Sequence, residues 1–142
     1  MKFGIMFANV GEFGTGPGAL ALAQLAEELG FESLWTVEHV VVPPGYQREY
    51  PYAPNGKMPG GEDSPIPDPL MWLAFVAGAT TTIRLGTGIL ILPQRNPLLL
   101  AKELATLDAM SAGRLELGIG VGWLAEEFAA LGVPFDARGA RT

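Results

Sequence analysis

The 142 residues carry 15 acids against nine lysines and arginines, a net charge of −6, and contain no cysteine. That balance excludes nucleic-acid binding through phosphate neutralisation, and the missing thiols exclude disulfides, thiolate metal sites and a cysteine nucleophile. At 49% hydrophobic and 17% charged, the chain has the apolar material for the core of one ordinary domain.

In chain order, the first element is a short apolar strand over Phe3–Ala8. It is interrupted at Gly4 and ends in Asn9-Val10-Gly11-Glu12, well short of a signal-peptide core, and no later run reaches the length of a membrane span. The expectation is a soluble, cytoplasmic protein with no membrane contact. A helix follows from Pro17 to Leu29, with Leu22, Leu25, Ala26 and Leu29 on one face and Gly30 closing it. Ser33–Glu38 is a second strand. Residues from about 42 to 67 hold seven of the twelve prolines together with Tyr46, Tyr50 and Tyr52. They show neither helical nor strand period, which predicts a lid or binding loop. Asp68 as N-cap and Pro69 at the first position start a second helix, which runs to about Thr80 and is apolar nearly all round. Ile83–Leu92 is the third strand. Asn96 and Pro97 repeat the cap signal for a third helix, whose stripe is Leu100, Leu104 and Leu107. Arg114–Gly120 is the fourth strand, and a short helix over Leu124–Leu131 stops at Gly132 and Pro134. Four consecutive βα units predict a parallel sheet with right-handed crossovers.

In such a sheet the chemistry sits at the C-terminal ends of the strands. Asn9, Glu38-His39, Thr87-Gly88-Ile89, Gln94-Arg95-Asn96 and Gly120-Val121-Gly122-Trp123 all fall there. His39, the single histidine, can exchange a proton near neutral pH or simply pair with Glu38 in the loop. One histidine cannot supply a metal pair, so no metal site is expected. The run Gly118-Ile119-Gly120-Val121-Gly122 is GxGxG rather than the dinucleotide GxGxxG. It can cradle a phosphate or serve tight strand-to-helix packing. Arg95 can bind an anion or cap its own loop, and Trp123 can stack on a ring or fill core.

Thr36-Val37-Glu38-His39, Leu85-Gly86-Thr87-Gly88-Ile89, Pro93-Gln94-Arg95-Asn96-Pro97 and Gly118-Ile119-Gly120-Val121-Gly122-Trp123, in that order, resemble the luciferase-like monooxygenase superfamily. Within it they are most similar to the actinobacterial-type branch that uses the deazaflavin coenzyme F420. The resemblance covers essentially the whole of residues 1–142. It implies an α/β fold of the TIM type, a (β/α)8 barrel of which this chain supplies the first four βα units. Half of a barrel leaves Phe3–Ala8 and Arg114–Gly120 as open edges, with Ile5, Phe7, Trp35, Val37, Leu90 and Ile119 as candidates for an uncovered inner face. The chain is therefore expected as part of a longer protein or as a homo-oligomer.

The implied activity is hydride transfer between F420 and a small organic substrate, with an FMN-dependent monooxygenase as the alternative within the family. A non-catalytic half-barrel that acts only by association is the alternative from another class. The resemblance assigns His39 to catalysis and Glu38, Gly88, Ile89, Val121, Gly122 and Glu126 to the cofactor. It also implies a non-prolyl cis peptide at Gly88–Ile89, in a bulge of the third strand. Trp123 stands where the family's sugar-phosphate dehydrogenases have a catalytic Glu, which argues against that substrate.

Overall fold

The computed structural model describes residues 1–47 and 49–142. Strands β1 (Gly4–Met6), β2 (Ser33–Thr36), β3 (Arg84–Ile91) and β4 (Leu115–Gly120) alternate with helices α1 (Gly16–Glu28), α2 (Pro69–Ala77), α3 (Pro97–Met110) and α4 (Ala125–Ala130). The strands pair in parallel in the order β1-β2-β3-β4. Each strand is added beside the previous one, as in a barrel wall, and the order never reverses as it does in a doubly wound sheet. Among the described residues no helix is long and apolar enough to cross a membrane.

The starts of α1, α2 and α3 follow from side-chain acceptors placed ahead of prolines. Asp68 Oδ1 accepts from the Leu70 and Met71 amides, both at 2.9 Å. Asn96 Oδ1 accepts from Leu98 and Leu99 at 3.0 and 3.1 Å. For α1 the cap is Thr15, whose hydroxyl accepts from Gly18 at 3.2 Å, so the helix begins one residue ahead of Pro17. Each cap satisfies amides that have no intrahelical partner.

One face of the sheet packs against the helices. Leu34 and Leu85, with Ile5 and Leu115, meet Ala19, Ala23, Ala26, Leu73, Val76, Leu100 and Leu107 in a single core. The buried face of α1 is therefore Ala19, Ala23 and Ala26 with Leu22 beside them, while Leu25 and Leu29, expected inside, are exposed. Alanines let the helix approach the sheet closely, and the leucines one turn on fall outside that contact. Met71 and Phe75 of α2 are likewise exposed on its outer side.

The other face is the inner one, and glycine shapes it. A Cβ on Gly86 would lie within 2.4–2.7 Å of the Trp35 ring, so glycine is what allows Trp35 to lie across β3. The indole N–H donates to Ser33 Oγ at 2.9 Å. Arg84 and Glu116 pair across β3 and β4. The expected inner face is corrected at three positions. Ile5 packs into the helix-side core, and Leu90 is fully buried there. Ile119 is the register partner of Leu90 and so faces the same way. The register shifts between Thr87 and Leu90. A bulge of this kind reverses the in-out alternation, and a simple period-two count along β3 misses it. The Gly88–Ile89 peptide within it is cis, as the resemblance implied.

At the N-terminal ends of the strands two polar side chains hold the layers together. One is Arg114, whose buried guanidinium donates to backbone carbonyls of Ala77, Thr80, Ile83 and Ser111. Glu27, on α1, accepts from the successive amides of Thr81, Thr82 and Ile83 at 2.9, 2.6 and 2.9 Å. Partial burial pushes its pKa up, but those amides and the Thr82 hydroxyl outweigh it and hold it at about 2, below the ordinary 4.5. A carboxylate whose folded pKa is depressed stabilises the fold above its unfolded pKa and loses that stabilisation as pH falls. Glu27→Gln is therefore expected to lower the denaturation midpoint at pH 7, and the gap to wild type should close between pH 4.5 and 2. Midpoints measured across that range check it; a gap independent of pH would show that the charge plays no part.

Candidate active site

At the C-terminal ends of the strands, Glu38 and His39 leave β2 for different partners. The Glu38 side chain is 1% exposed. Its Oε1 accepts from Arg95 Nε at 3.0 Å and from Arg95 Nη2, and its Oε2 accepts from the Ile91 amide. Arg95 Nη2 also donates to Asp68 Oδ2 at 2.7 Å. Burial pushes the Glu38 carboxyl up against the pull of Arg95 and the Ile91 amide. Burial disfavours the Arg95 charge, but Glu38 and Asp68 more than restore it. This network ties the end of β2 to the end of β3 and to the cap of α2, so Glu38 is occupied in bracing the wall.

His39 turns toward α4. Its Nδ1 lies 3.1 Å from Glu127 Oε2, and Glu127 Oε1 accepts from the Val40 and Val41 amides at 2.6 and 3.3 Å. Glu127 is completely buried, and the His39 side chain is 11% exposed. Among the described residues no hydrogen bond reaches His39 Nε2. The Trp123 ring meets His39 edge-on, with centroids 5.8 Å apart.

Trp123 is also the anchor of the long proline-rich loop. Tyr46 and Tyr50 pack edge-on against it at 5.6 and 5.2 Å, and Tyr52 packs on Tyr50 at 5.5 Å. The Tyr46 hydroxyl accepts from the Met58 amide at 2.9 Å, and Lys57 lies over the Tyr46 ring. Glu126 Oε1 accepts from the Gln47 amide at 2.9 Å. At its far end the loop is held by Asn9, whose amide donates to Pro67 O at 3.1 Å and to Val37 O at 2.8 Å. The loop is thus docked on the β4–α4 junction beside His39.

The other expected cofactor residues lie on the same rim. Ile89 is partly exposed and crosses to Gly120, where an added Cβ would meet its Cδ1 at 2.7 Å. Gly88 sits beneath the Met6 methyl. Val121 is exposed. Gly122 has φ +74°, and a Cβ there would collide with Phe128 and Ile91, so its side-chain position is filled by packing. Phe7, at the end of β1, is also left-handed, with φ 59°, and its side chain is exposed.

Glu127 was not singled out from sequence as a site residue, and Gln94, Trp123 and the loop tyrosines were placed near the site without their contacts. A signal for Glu127 was present. Leu124, Glu127, Phe128 and Leu131 fall at i, i+3, i+4 and i+7, so one carboxylate stands in an otherwise apolar stripe. Buried carboxylates are kept only with partners. Gln94 carries a second signal, visible only in the structure. Its Nε2 and Oε1 are both buried, with no hydrogen-bond partner among the described residues.

The profile of a family described as luciferase-like monooxygenase matches residues 1–142. An uncharacterised protein of Mycobacterium tuberculosis is 35% identical over 114 residues, 80% of this chain and 40% of the relative. The crystal structure of the monooxygenase RslO1 from Streptomyces bottropensis superposes with a TM-score of 0.72 at 40% identity, over 99% of this chain and 39% of that one. The coenzyme F420 dependent tetrahydromethanopterin reductase from Methanopyrus kandleri does so with a TM-score of 0.61 at 27% identity, over 94% of this chain and 30% of that one. The chain spans about 40% of the length of the first of these relatives.

Proposed function

Since the chain belongs to the luciferase-like monooxygenase family, we propose that it forms the cofactor-facing wall of a flavin- or deazaflavin-dependent oxidoreductase. In this reading His39 handles a proton beside the reacting ring. The observation that carries the proposal is His39 itself. It stands at the C-terminal mouth of a parallel barrel wall, held through Nδ1 by a buried carboxylate, with Nε2 unengaged among the described residues. An imidazole so placed can donate or accept a proton near neutral pH.

The residues present fit a planar three-ring cofactor. On the inner wall Gly4 and Gly86 seat the Trp35 ring and Gly88 lies against Met6, which gives a flat aromatic platform beside the Gly88–Ile89 bulge. The orphaned carboxamide of Gln94 offers a donor and an acceptor side by side. That pair complements the pyrimidinedione edge that flavins and deazaflavins share, and a buried amide gains most from a partner it lacks in the free protein. Such a cofactor, when bound, supplies the two-electron redox chemistry. Gln94 and the Ile89–Val121 rim would hold and orient it, the tyrosine-rich loop would exclude water from it, and His39 would hold the proton.

Oxygenation of a small organic substrate ranks ahead of hydride exchange with F420, because likeness to a monooxygenase runs at 40% identity and likeness to an F420 reductase at 27%. Homo-oligomerisation remains part of the proposal, supported by exposed Met71, Phe75, Leu98, Leu99 and Met110 on α2 and α3. Absorbance titration of the full-length protein with FMN and with F420 tests the cofactor reading. Saturable binding of one of them is the expected result, and binding of neither would remove the proposal.

A further inference from the structure

We infer that Glu127 is the positioning residue for His39, fixing which imidazole nitrogen faces the ligand; the inference rests on the role of His39 proposed above. The argument is one of donor and acceptor counts. Glu127 Oε1 accepts from two backbone amides, those of Val40 and Val41, and Oε2 lies 3.1 Å from His39 Nδ1. A carboxylate has no proton to give, so the imidazole donates from Nδ1. Neutral imidazole then carries its lone pair on Nε2, the nitrogen left unengaged among the described residues. The same tautomer is selected wherever a buried carboxylate orients a histidine base.

The arrangement also explains the placement of Glu127. It is completely buried on the inner stripe of α4 between Leu124 and Phe128, which are buried as well. A carboxylate there needs partners, and among the described residues those it has come from residues 39–41, some 86–88 positions away in sequence. Its neighbour Glu126 accepts instead from Gln47, farther along the loop. The two adjacent glutamates therefore divide the work: Glu126 holds the loop, and Glu127 holds the imidazole and the two peptide groups that follow it. The Trp123 ring, nearly perpendicular to the His39 ring with centroids 5.8 Å apart, closes one side and limits rotation about the side chain.

The test uses the full-length protein and reads the nitrogen directly. In long-range ¹⁵N–¹H spectra, with His39 assigned by the signal lost in His39→Gln, wild-type protein at a pH where the ring is neutral shows a protonated Nδ1 and an unprotonated Nε2. Glu127→Gln keeps the shape but offers one acceptor atom where the carboxylate offers two. The expected result is a mixed or reversed tautomer and a turnover number lower by up to about 10⁴-fold, the loss seen when the carboxylate that orients a histidine base is replaced by an amide. KM and cofactor affinity should change little.

A wild-type His39 protonated on Nε2 overturns the inference without any variant. So does a Glu127→Gln protein with an unchanged tautomer and unchanged turnover. If the spectra behave as stated while His39→Ala leaves turnover intact, the positioning stands and the proposed role of His39 falls.

Discussion

Replacing His39 with alanine in the full-length enzyme is expected to lower turnover by about 10²–10⁴-fold, the usual range for a general acid or base. Cofactor affinity should change far less, because the ring contacts expected of Gln94, Ile89 and Val121 remain. The imidazole also partners Glu127 Oε2 and packs against Trp123, so its removal leaves a buried carboxylate oxygen short of a donor. That costs on the order of 1–3 kcal/mol in stability. His39→Gln separates the two effects, since a carboxamide can still donate to Glu127 but cannot exchange a proton. It should retain more stability than alanine and recover no rate. Steady-state kinetics on both variants, with thermal melts alongside, check this. Equal activity in wild type and alanine variant would remove His39 from the chemistry.

The largest effect on stability is expected at the opposite end of the sheet. Arg114 is buried and spends its guanidinium on the protein. Nε donates to Ser111 O at 2.7 Å, Nη1 to Thr80 Oγ1 and Ile83 O at 2.9 and 3.1 Å, and Nη2 to Ala77 O and Thr80 O at 2.9 and 3.2 Å. It therefore closes the end of α2, the turn into β3 and the end of α3 around the start of β4. Truncation to alanine strands these acceptors in the interior and is expected to cost about 3–5 kcal/mol, a large share of the total stability of a typical domain. Arg114→Lys should recover only part of it, because a single ammonium cannot spread over the same fork of acceptors. Denaturant midpoints at constant m-value read the loss, and activity per folded molecule of the lysine variant should match wild type. A loss below about 1 kcal/mol for alanine would show that water replaces the guanidinium at little cost.

How much of this was legible in the sequence differs by level. The alternation of elements was readable because two of the helix starts carry their own chemistry, at Asp68-Pro69 and Asn96-Pro97, and these caps are formed as expected. The exposed face of α1 was misjudged. A 3.6-residue period marks where apolar residues recur, but it does not say that the small Ala19–Ala23–Ala26 row would win the sheet over Leu25 and Leu29. The inner and outer residues near Leu90 were misassigned because the bulge at Gly88–Ile89, implied by the resemblance, breaks an alternation that was counted straight through it. At the site, His39 could be placed from its position after a strand. Its partner lies 88 residues away on α4, a pairing that only the closed wall creates. Glu38 and Arg95 were each visible, but not their bond to one another.

The measurement that bears most directly on the central claim is a crystal structure of the full-length protein with whichever of FMN or F420 it binds. The prediction is a ring lying against the glycine-lined inner wall at Gly88–Ile89, with its pyrimidinedione edge at Gln94 and His39 Nε2 facing the reacting side. A ring bound elsewhere, or one that leaves Gln94 and His39 Nε2 without contact to cofactor or substrate, would contradict it.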